Sequence, residues 1–184
     1  MKKIAIIGTH GVGKTTLAYK LAAYYKSEGQ NVKIINELAR ECPFPLNDSM
    51  DLHTTLWILH SHIAKELNAI AQKYEIIVSD RSAIDSIIYA RCLLPNDLMS
   101  ANFRMAQDLA RNWMKSYDKI YWIRPDKNKS KISKDGVRSI DYEFQKKIDK
   151  EFEYYMDDLF FEDVQSLTTS QIFKKNIMEI CFTT

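Results

Sequence analysis

A glycine-rich segment near the start of the chain carries the clearest chemical signal in the sequence. It reads Gly8-Thr9-His10-Gly11-Val12-Gly13-Lys14-Thr15, with Thr16 next, and it fits the phosphate-loop pattern at every fixed position. Glycines allow several backbone N–H groups to point at one anion, and the helix that follows adds the positive end of its dipole. We expect Lys14 to reach the β- and γ-phosphates of ATP or another nucleoside triphosphate, and the Thr15 hydroxyl to bind Mg²⁺.

The predicted nucleotide-binding residues are those that the pattern fixes and those beside them. They are Gly8, His10, Gly11, Val12, Gly13, Lys14, Thr15 and Thr16. The pattern admits any residue at the position of His10, and Thr16 is a neighbour of the expected metal ligand. The alternative is an ordinary glycine turn between a strand and a helix, and the match of the whole pattern in its predicted setting disfavours it.

Charged residues follow the next two predicted strands. Glu37 and Arg40 come after the second strand, and Asp80 and Arg81 come after the third. Phosphoryl transfer needs a metal, positive charge around the migrating group, and a group that orients or deprotonates the acceptor hydroxyl. We expect Asp80 to hold Mg²⁺ together with Thr15, and Arg81 to bind the acceptor or the transferring phosphoryl group. Simple ion pairs at the strand ends or the surface are the alternative.

Apolar strands alternate with amphipathic helices along the chain. The predicted strands cover residues 4–7, 32–35, 75–79, 119–123 and 164–167. The predicted helices run from the glycine loop to Gly29, from Met50 to Lys73, over 96–115 and over 144–159, with a last helix capped by Ser170. This order predicts a three-layer α/β fold of the P-loop NTPase type, with a central, mainly five-stranded parallel sheet and helices on both faces. Ligands then bind at the carboxyl ends of the strands.

Composition indicates one globular domain, residues 1–184. The chain is 46% hydrophobic and 27% charged, and its net charge of +2 gives no global field for nucleic acid or an anionic membrane. Its three cysteines are scattered, which is not typical of a disulfide framework or a zinc site. Apolar runs in the sequence are shorter than the roughly 20 residues that span a bilayer. We therefore expect a cytoplasmic protein, and the apolar helix faces leave a homodimer open.

Beyond the glycine loop, the chain resembles the nucleoside and nucleotide kinase branch of P-loop proteins, in particular the nicotinamide riboside kinase-like ATPases. Glu37-Leu38-Ala39-Arg40 is similar to that group's Glu-x-x-Arg element. Ser79-Asp80-Arg81-Ser82-Ala83-Ile84-Asp85, followed by Tyr89, is similar to its Asp-Arg element. Asp135-Gly136-Val137-Arg138 resembles its lid element and indicates a short lid at about 126–139. The resemblance covers nearly the whole chain.

The resemblance implies roles for the matched residues. Glu37 would be the general base for an acceptor hydroxyl, Arg40 would fix that acceptor, and Arg138 would close over the phosphates. If the acceptor is already a phosphate, no base is needed and Glu37 is a binding or structural residue.

Trp57 lies on the helix that walls the acceptor pocket in those kinases, where it would stack on a ring or pack in the core. Asp85 is expected to be a helix N-terminal or surface charge. The predicted catalytic set is Lys14, Glu37, Asp80, Arg81 and Arg138, and the predicted acceptor-binding set is Glu37, Arg40, Trp57 and Arg81.

Three functions follow from these residues. The leading hypothesis is an ATP- and Mg²⁺-dependent kinase that phosphorylates a nucleoside, a nucleotide or a nicotinamide riboside-like small molecule. A second is a nucleotide-dependent regulatory ATPase or switch that has no small-molecule acceptor. A third is a polynucleotide 5′-hydroxyl kinase. Its nucleic-acid substrate would bind the lid lysines Lys127, Lys129, Lys131 and Lys134. The lack of aromatic residues among these lysines disfavours nucleic acid as a partner.

Overall fold

The computed structural model describes residues 1–126, 142–159 and 164–181, and strands alternate with helices through these ranges. The strands are β1 (Lys2–Ile7), β2 (Val32–Ile35), β3 (Ile76–Asp80), β4 (Lys119–Arg124) and β5 (Val164–Thr168). The helices are α1 (Lys14–Ser27), α2 (Leu52–Ala71), α3 (Ala83–Leu93), α4 (Ala101–Met114), α5 (Tyr142–Leu159), α6 (Thr169–Lys174) and α7 (Ile177–Cys181). Short 3-10 turns at Leu38–Glu41 and Asn47–Ser49 connect β2 to α2.

The strands of the described ranges form one parallel sheet in the order β2-β3-β1-β4-β5. The central strand is β1, in which Ile4 lies opposite Val78 of β3 on one side and Lys119 of β4 on the other. Because all the pairings are parallel, the carboxyl ends of the strands lie at the same edge of the sheet. The predicted α/β fold, with a five-stranded parallel sheet and helices on both faces, is confirmed.

The last four residues of the central strand β1, from Ile4 to Ile7, are all apolar because helices cover both faces of the strand. Ile4 and Ile6 point to one face and pack in the same cluster as Leu17 of α1. Ala5 and Ile7 point to the opposite face, into a cluster built from α2, α3, α4 and α5. One strand therefore supplies core residues to both helical layers, since successive side chains alternate between the faces of a sheet.

Two helices in the middle of the chain differ from the predictions. The helix predicted over 96–115 begins at Ala101, because the Ser100 side chain accepts a hydrogen bond from the N–H of Phe103 and caps it there. Periodicity misses α3 altogether. Most of its residues are buried, so its sequence lacks the polar face that marks an amphipathic helix.

The end of the chain also differs from the predictions. The residue that caps α6 is Thr168 and not Ser170, since the Thr168 hydroxyl accepts from the N–H of Gln171. Ser170 instead donates through its N–H and its hydroxyl to Oδ2 of Asp126, at 2.9 and 2.6 Å. This pair of bonds ties the start of α6 to the segment that follows β4. A second short helix, α7, comes after it.

A buried carboxylate, Glu66 of α2, ties several elements together on one side of the sheet. Its side chain is fully buried. Its oxygens accept hydrogen bonds or an ion pair from Lys3 Nζ (2.8 Å), Ser79 Oγ (2.6 Å), Trp113 Nε1 (2.7 Å) and Tyr117 OH (2.9 Å). His62 Nε2, one turn earlier on α2, lies 3.1 Å from Glu66 Oε1. Burial alone would raise the pKa of Glu66, but the hydrogen bond with His62 and the charge of Lys3 hold it well below its ordinary value.

The predicted lid falls almost wholly outside the described residues. Of the range 126–139, the structure includes Asp126, and residues 127–141 are not described. Arg138 and the four lid lysines therefore stay predictions.

Candidate active site

The glycine loop joins β1 to α1 through backbone conformations that favour glycine. Gly8, Gly11 and Gly13 have φ angles of 134°, 74° and 95°. At Gly8 a second constraint acts, because a Cβ atom there would lie 2.3 Å from the carbonyl oxygen of Ile123 on β4. The loop thus lies directly against the end of β4 and leads into the N-terminus of α1, where backbone N–H groups and the helix dipole favour an anion.

The side chain of Lys14 folds back over this loop. Its Nζ donates to the carbonyl oxygens of Gly8 (2.8 Å) and Thr9 (2.6 Å), and the residue is 6% exposed. Burial, followed by the nearby charge of Arg81, lowers the pKa of Lys14 from its ordinary 10.5 to about 7. A polyphosphate seated in the loop would bring the negative charge that favours the protonated amine. The placement suits the predicted phosphate-binding role.

Thr15 and Asp80 lie together at the carboxyl end of the sheet. The Thr15 hydroxyl donates to Asp80 Oδ2 over 2.6 Å, and Asp80 is the buried last residue of β3. A hydroxyl and a carboxylate side by side at a phosphate loop are oxygen donors of the kind that Mg²⁺ prefers. These two residues therefore fit the predicted metal site, and within the described ranges His, Cys, Asp and Glu form no separate group of three or more that could hold a metal.

Arg81 has a backbone conformation that is rare for a residue with a side chain. Its φ is 90°, and its N–H donates to the carbonyl oxygen of Ile6 over 3.0 Å. The side chain reaches Glu37 Oε1 through Nε at 2.7 Å and Nη2 at 2.5 Å, and Nη1 lies 3.4 Å from Asp85 Oδ1. Strained backbone of this kind occurs at functional sites, where the surroundings hold it in place. Here it turns the guanidinium from the end of β3 toward the end of β2.

Glu37 and Arg40 complete this charged cluster. Glu37 is 7% exposed and stands at the start of the 3-10 turn after β2. Arg40 Nε, one turn further, lies 3.4 Å from Glu37 Oε2, and its side chain is 43% exposed. The predicted residues Glu37, Arg40 and Arg81 are thus brought together. The alternative of an Asp80–Arg81 pair is not what the geometry shows, since Arg81 pairs across the strand ends with Glu37, and Asp80 bonds Thr15.

A pocket opens beside the glycine loop, between the ends of β2 and β3 and the helices α2, α3 and α5. Its charged lining residues in the described part of the chain are Glu37, Arg81 and Asp85. Apolar walls come from residues that include Leu38, Met50, Ile58 and Phe144. The result is a largely apolar cavity with a cluster of ionisable groups beside the phosphate loop, a combination typical of a small-molecule site.

His10 of the glycine loop forms part of this pocket. Its side chain is 3% exposed and stacks on Phe144 of α5, with 5.8 Å between ring centroids and 26° between the planes. Its Nδ1 lies 3.2 Å from the Tyr89 hydroxyl, and its carbonyl oxygen accepts a hydrogen bond from Gln145 Nε2 over 2.8 Å. The sequence pattern admits any residue at the position of His10, whereas in the structure this side chain is a wall that the phosphate loop and the pocket share.

The pocket wall also includes residues to which the sequence assigns no binding role, among them Asp85 and His62. Asp85 is at a helix N-terminus as expected, but it is buried and not a surface charge, and it accepts from the N–H and hydroxyl of Ser82 at 2.8 and 2.9 Å. Burial, partly offset by Arg81, raises the pKa of Asp85. His62 also lines the pocket. The family's Asp-Arg element includes positions that match Asp85 and Tyr89, and this resemblance is the signal that the sequence offers for them.

Other predicted site residues lie away from the pocket wall. Trp57 is half-buried on α2, but the residues of that helix that line the pocket are Thr54, Ile58 and His62, one turn apart from each other. Of the two roles predicted for Trp57, stacking on an acceptor ring is therefore not supported. The side chain of Val12 packs in the core, so its backbone is the part that faces the loop. Thr16 is half-buried in the first turn of α1.

No helix within the described ranges has both the length and the apolar composition needed to cross a membrane.

Comparison with known proteins identifies the family. The AAA domain family matches residues 3–165, which is most of the chain. A curated relative, the probable thymidylate kinase of Thermoplasma volcanium, is 27% identical over 126 residues, which make up 68% of this chain and 63% of that protein. The match therefore spans less than two thirds of the relative's length.

Solved structures agree on the fold. The NadR protein in complex with NR superposes with a TM-score of 0.69 at 21% identity, over 97% of this chain and 51% of that one. Deoxyadenosine kinase from M. mycoides with bound dATP gives 0.66 at 19% identity and covers 97% of both chains. The resemblance to nucleoside and nicotinamide riboside kinases is confirmed at this level. The chain belongs to the AAA domain family, and its five-stranded sheet has the fold of the P-loop nucleoside kinases.

Proposed function

We propose that this protein is an ATP- and Mg²⁺-dependent kinase that transfers a phosphoryl group to a small molecule, which is a nucleoside, a nucleotide or a nicotinamide riboside-like compound. The observation that carries the proposal is the position of the pocket. His10 belongs to the phosphate loop and also lines the pocket, so a ligand there would lie beside the terminal phosphate of a nucleotide in the loop. The kinase names of the relative and the fold neighbours support it.

The donor side is built from the loop and the ends of β1 and β3. Backbone N–H groups of the loop would bind the phosphates, and Lys14 would leave its carbonyl partners to contact the β- and γ-phosphates. Thr15 and Asp80 would hold Mg²⁺, which neutralises charge on the phosphates when it is bound. Arg138, from the predicted lid, is proposed to add positive charge over the transferring group.

The acceptor side is built around Glu37. A hydroxyl in the pocket would lie near the carboxylate of Glu37, which can orient it and take its proton as it attacks the γ-phosphorus atom. Arg81 contacts one oxygen of that carboxylate and Arg40 lies near the other, so the base is held in a fixed orientation. Arg40 is the more exposed of the two and is the one proposed to contact the acceptor itself.

The charge of the pocket favours a hydroxyl acceptor over one that already carries a phosphate. Among the described lining residues, two carboxylates, Glu37 and Asp85, face one guanidinium, Arg81, which contacts both of them. A phosphate monoester would meet two carboxylates and a guanidinium that is already engaged, and like charges at short range are costly. An acceptor without a phosphate meets no such penalty.

The test is acceptor-dependent release of ADP, with the product identified by mass spectrometry. Thymidine, deoxyadenosine, nicotinamide riboside and their monophosphates are supplied in turn with ATP and Mg²⁺. We expect one or more to stimulate ADP release and to gain one phosphate, and we expect Lys14→Met to abolish both. Slow ATP hydrolysis that no acceptor stimulates would instead support the regulatory ATPase and refute the kinase.

A further inference from the structure

One side chain connects the pocket to the buried carboxylate network. His62 lines the pocket, and its Nε2 lies 3.1 Å from Glu66 Oε1 and 3.2 Å from the Tyr117 hydroxyl. The residue is 3% exposed. It is placed where a ligand would meet it on one side while buried protein groups fix it on the other.

The network decides which ring nitrogen of His62 carries hydrogen. Glu66 is fully buried, and the donors around it, among them Lys3 at 2.8 Å, keep it ionised. An ionised carboxylate accepts hydrogen bonds and has no hydrogen to donate. The Tyr117 hydroxyl already donates its hydrogen to the same Oε1 atom over 2.9 Å. The contact between His62 and Glu66 therefore requires a hydrogen on Nε2.

The same network leaves Nδ1 as an acceptor. A neutral ring with hydrogen on Nε2 carries a lone pair on Nδ1. Within the described residues, Nδ1 of His62 makes no hydrogen bond. It is also not one of the fully buried polar atoms that lack a hydrogen-bond partner. Because the ring lines the pocket, that lone pair is accessible from it.

We propose that His62 is a specificity-determining residue whose Nδ1 accepts a hydrogen bond from an N–H group of the acceptor's base, either in the ring or on an exocyclic amine. This inference rests on the proposed function, because it names the chemistry that the acceptor pocket selects. The favoured ligand class is a nucleoside whose base or ring presents an N–H donor. A ring in which that N–H is methylated loses the bond and leaves the lone pair unsatisfied.

The first test is independent of any ligand. Spectra of protein labelled with ¹⁵N-histidine distinguish the two ring nitrogens by their chemical shifts. At neutral pH we expect His62 to show a protonated Nε2 and an unprotonated Nδ1. A protonated Nδ1 would overturn the proposal.

The second test measures binding of matched nucleosides by calorimetry. Thymidine and N3-methylthymidine differ at one ring nitrogen, as do deoxyadenosine and N6,N6-dimethyldeoxyadenosine at the exocyclic nitrogen. In the unaltered protein we expect at least one methylated nucleoside to bind about tenfold more weakly than its unmethylated parent. This is the effect of losing one hydrogen bond and leaving its partner unsatisfied. Failure of all four nucleosides to bind would overturn the proposal.

His62→Gln separates recognition from a plain steric effect. A glutamine amide can still donate to Glu66 from about the position of Nε2, but it does not reproduce the ring acceptor at Nδ1. In His62→Gln we expect the affinities of each nucleoside and its methylated form to lie within about twofold of each other. If the methyl group acted through a steric clash, the methylated form would still bind more weakly in this variant. His60→Gln is the matched control, because His60 is on the same helix, is exposed and bonds the carbonyl of Leu56. It should retain the full preference, and loss of preference there would contradict the assignment.

Titration of the same samples with AMP-PNP and Mg²⁺ keeps the two proposals distinct. If AMP-PNP does not bind, the kinase proposal fails, while the nucleoside comparison still decides the role of His62. If AMP-PNP binds and the methylated nucleosides bind as well as their parents, the role of His62 fails alone.

Discussion

Replacement of Lys14 by methionine should change the pH dependence of stability as well as nucleotide binding. Lys14 is buried, and its pKa falls from 10.5 in an exposed lysine to about 7 in the folded chain. Between these two values the unfolded chain binds more protons than the folded one, so the stability of the unaltered protein rises with pH through this window. Methionine fills similar space and does not titrate.

The magnitude follows from the size of the pKa change. Each unit of pKa change corresponds to about 1.36 kcal/mol, so burial of Lys14 destabilises the folded protein by at most about 5 kcal/mol, reached at low pH. About 4 kcal/mol of this destabilisation remains at pH 7 and about 1 kcal/mol at pH 10. The difference in unfolding free energy between Lys14→Met and the unaltered protein should therefore move by about 3 kcal/mol between these pH values, in favour of the unaltered protein at pH 10. The carbonyl groups of Gly8 and Thr9 lose a donor in the variant, but that cost is the same at both pH values.

The assay is urea unfolding of both proteins at pH 7 and pH 10, without nucleotide. Other groups that titrate in this range cancel in the difference between the two proteins. Lys26→Met is the control, since Lys26 is an exposed lysine of the same helix and its replacement should give the same difference at both pH values. A Lys14→Met difference that stays constant from pH 7 to pH 10 would refute the burial argument.

The remaining predictions concern binding and turnover. Nucleotide binding at pH 8 should take up close to one proton, because Lys14 is mostly neutral above its pKa of about 7 and becomes protonated beside the phosphates; calorimetry in buffers of different ionisation enthalpy measures this, and zero uptake would contradict it. Thr15→Val should weaken binding of ATP with Mg²⁺ but not of ATP in EDTA, and equal losses in both would argue against a metal ligand. Glu37→Gln should lower kcat by about 10²- to 10⁴-fold with little change in ATP affinity, and unaltered turnover would exclude Glu37 as the base. Trp57→Phe should leave the KM of the acceptor within about twofold, since Trp57 is not on the pocket wall.

The parts of the fold and site that the sequence predicts are those with local causes. The glycine loop is one continuous segment, so its spacing alone places Lys14 and Thr15 at the start of α1. The alternation of strands and helices likewise predicts the parallel sheet. The sheet brings Asp80 beside Thr15, since Asp80 ends β3, Thr15 follows β1, and these two strands are neighbours. Only the pairing of Arg81 with Glu37 needs the observed backbone turn at Arg81.

The pocket wall depends on contacts between segments that are distant in sequence, and periodicity does not specify these. The register of α2 against the sheet decides that Thr54, Ile58 and His62 line the pocket and that Trp57 does not. His10 becomes part of the wall through Phe144, 134 residues further along the chain. Buried α3 carries no amphipathic pattern, so periodicity does not predict its extent, and the burial of Asp85 cannot be inferred from local sequence.

The central claim is that the segment from Gly8 to Thr15 holds the phosphates of a nucleotide. Calorimetric titration of the folded protein with AMP-PNP and Mg²⁺, repeated with Lys14→Met, tests it most directly. We expect saturable binding at one site in the unaltered protein and loss of this binding in the variant. Absence of heat from folded protein, or equal binding by the variant, would contradict it.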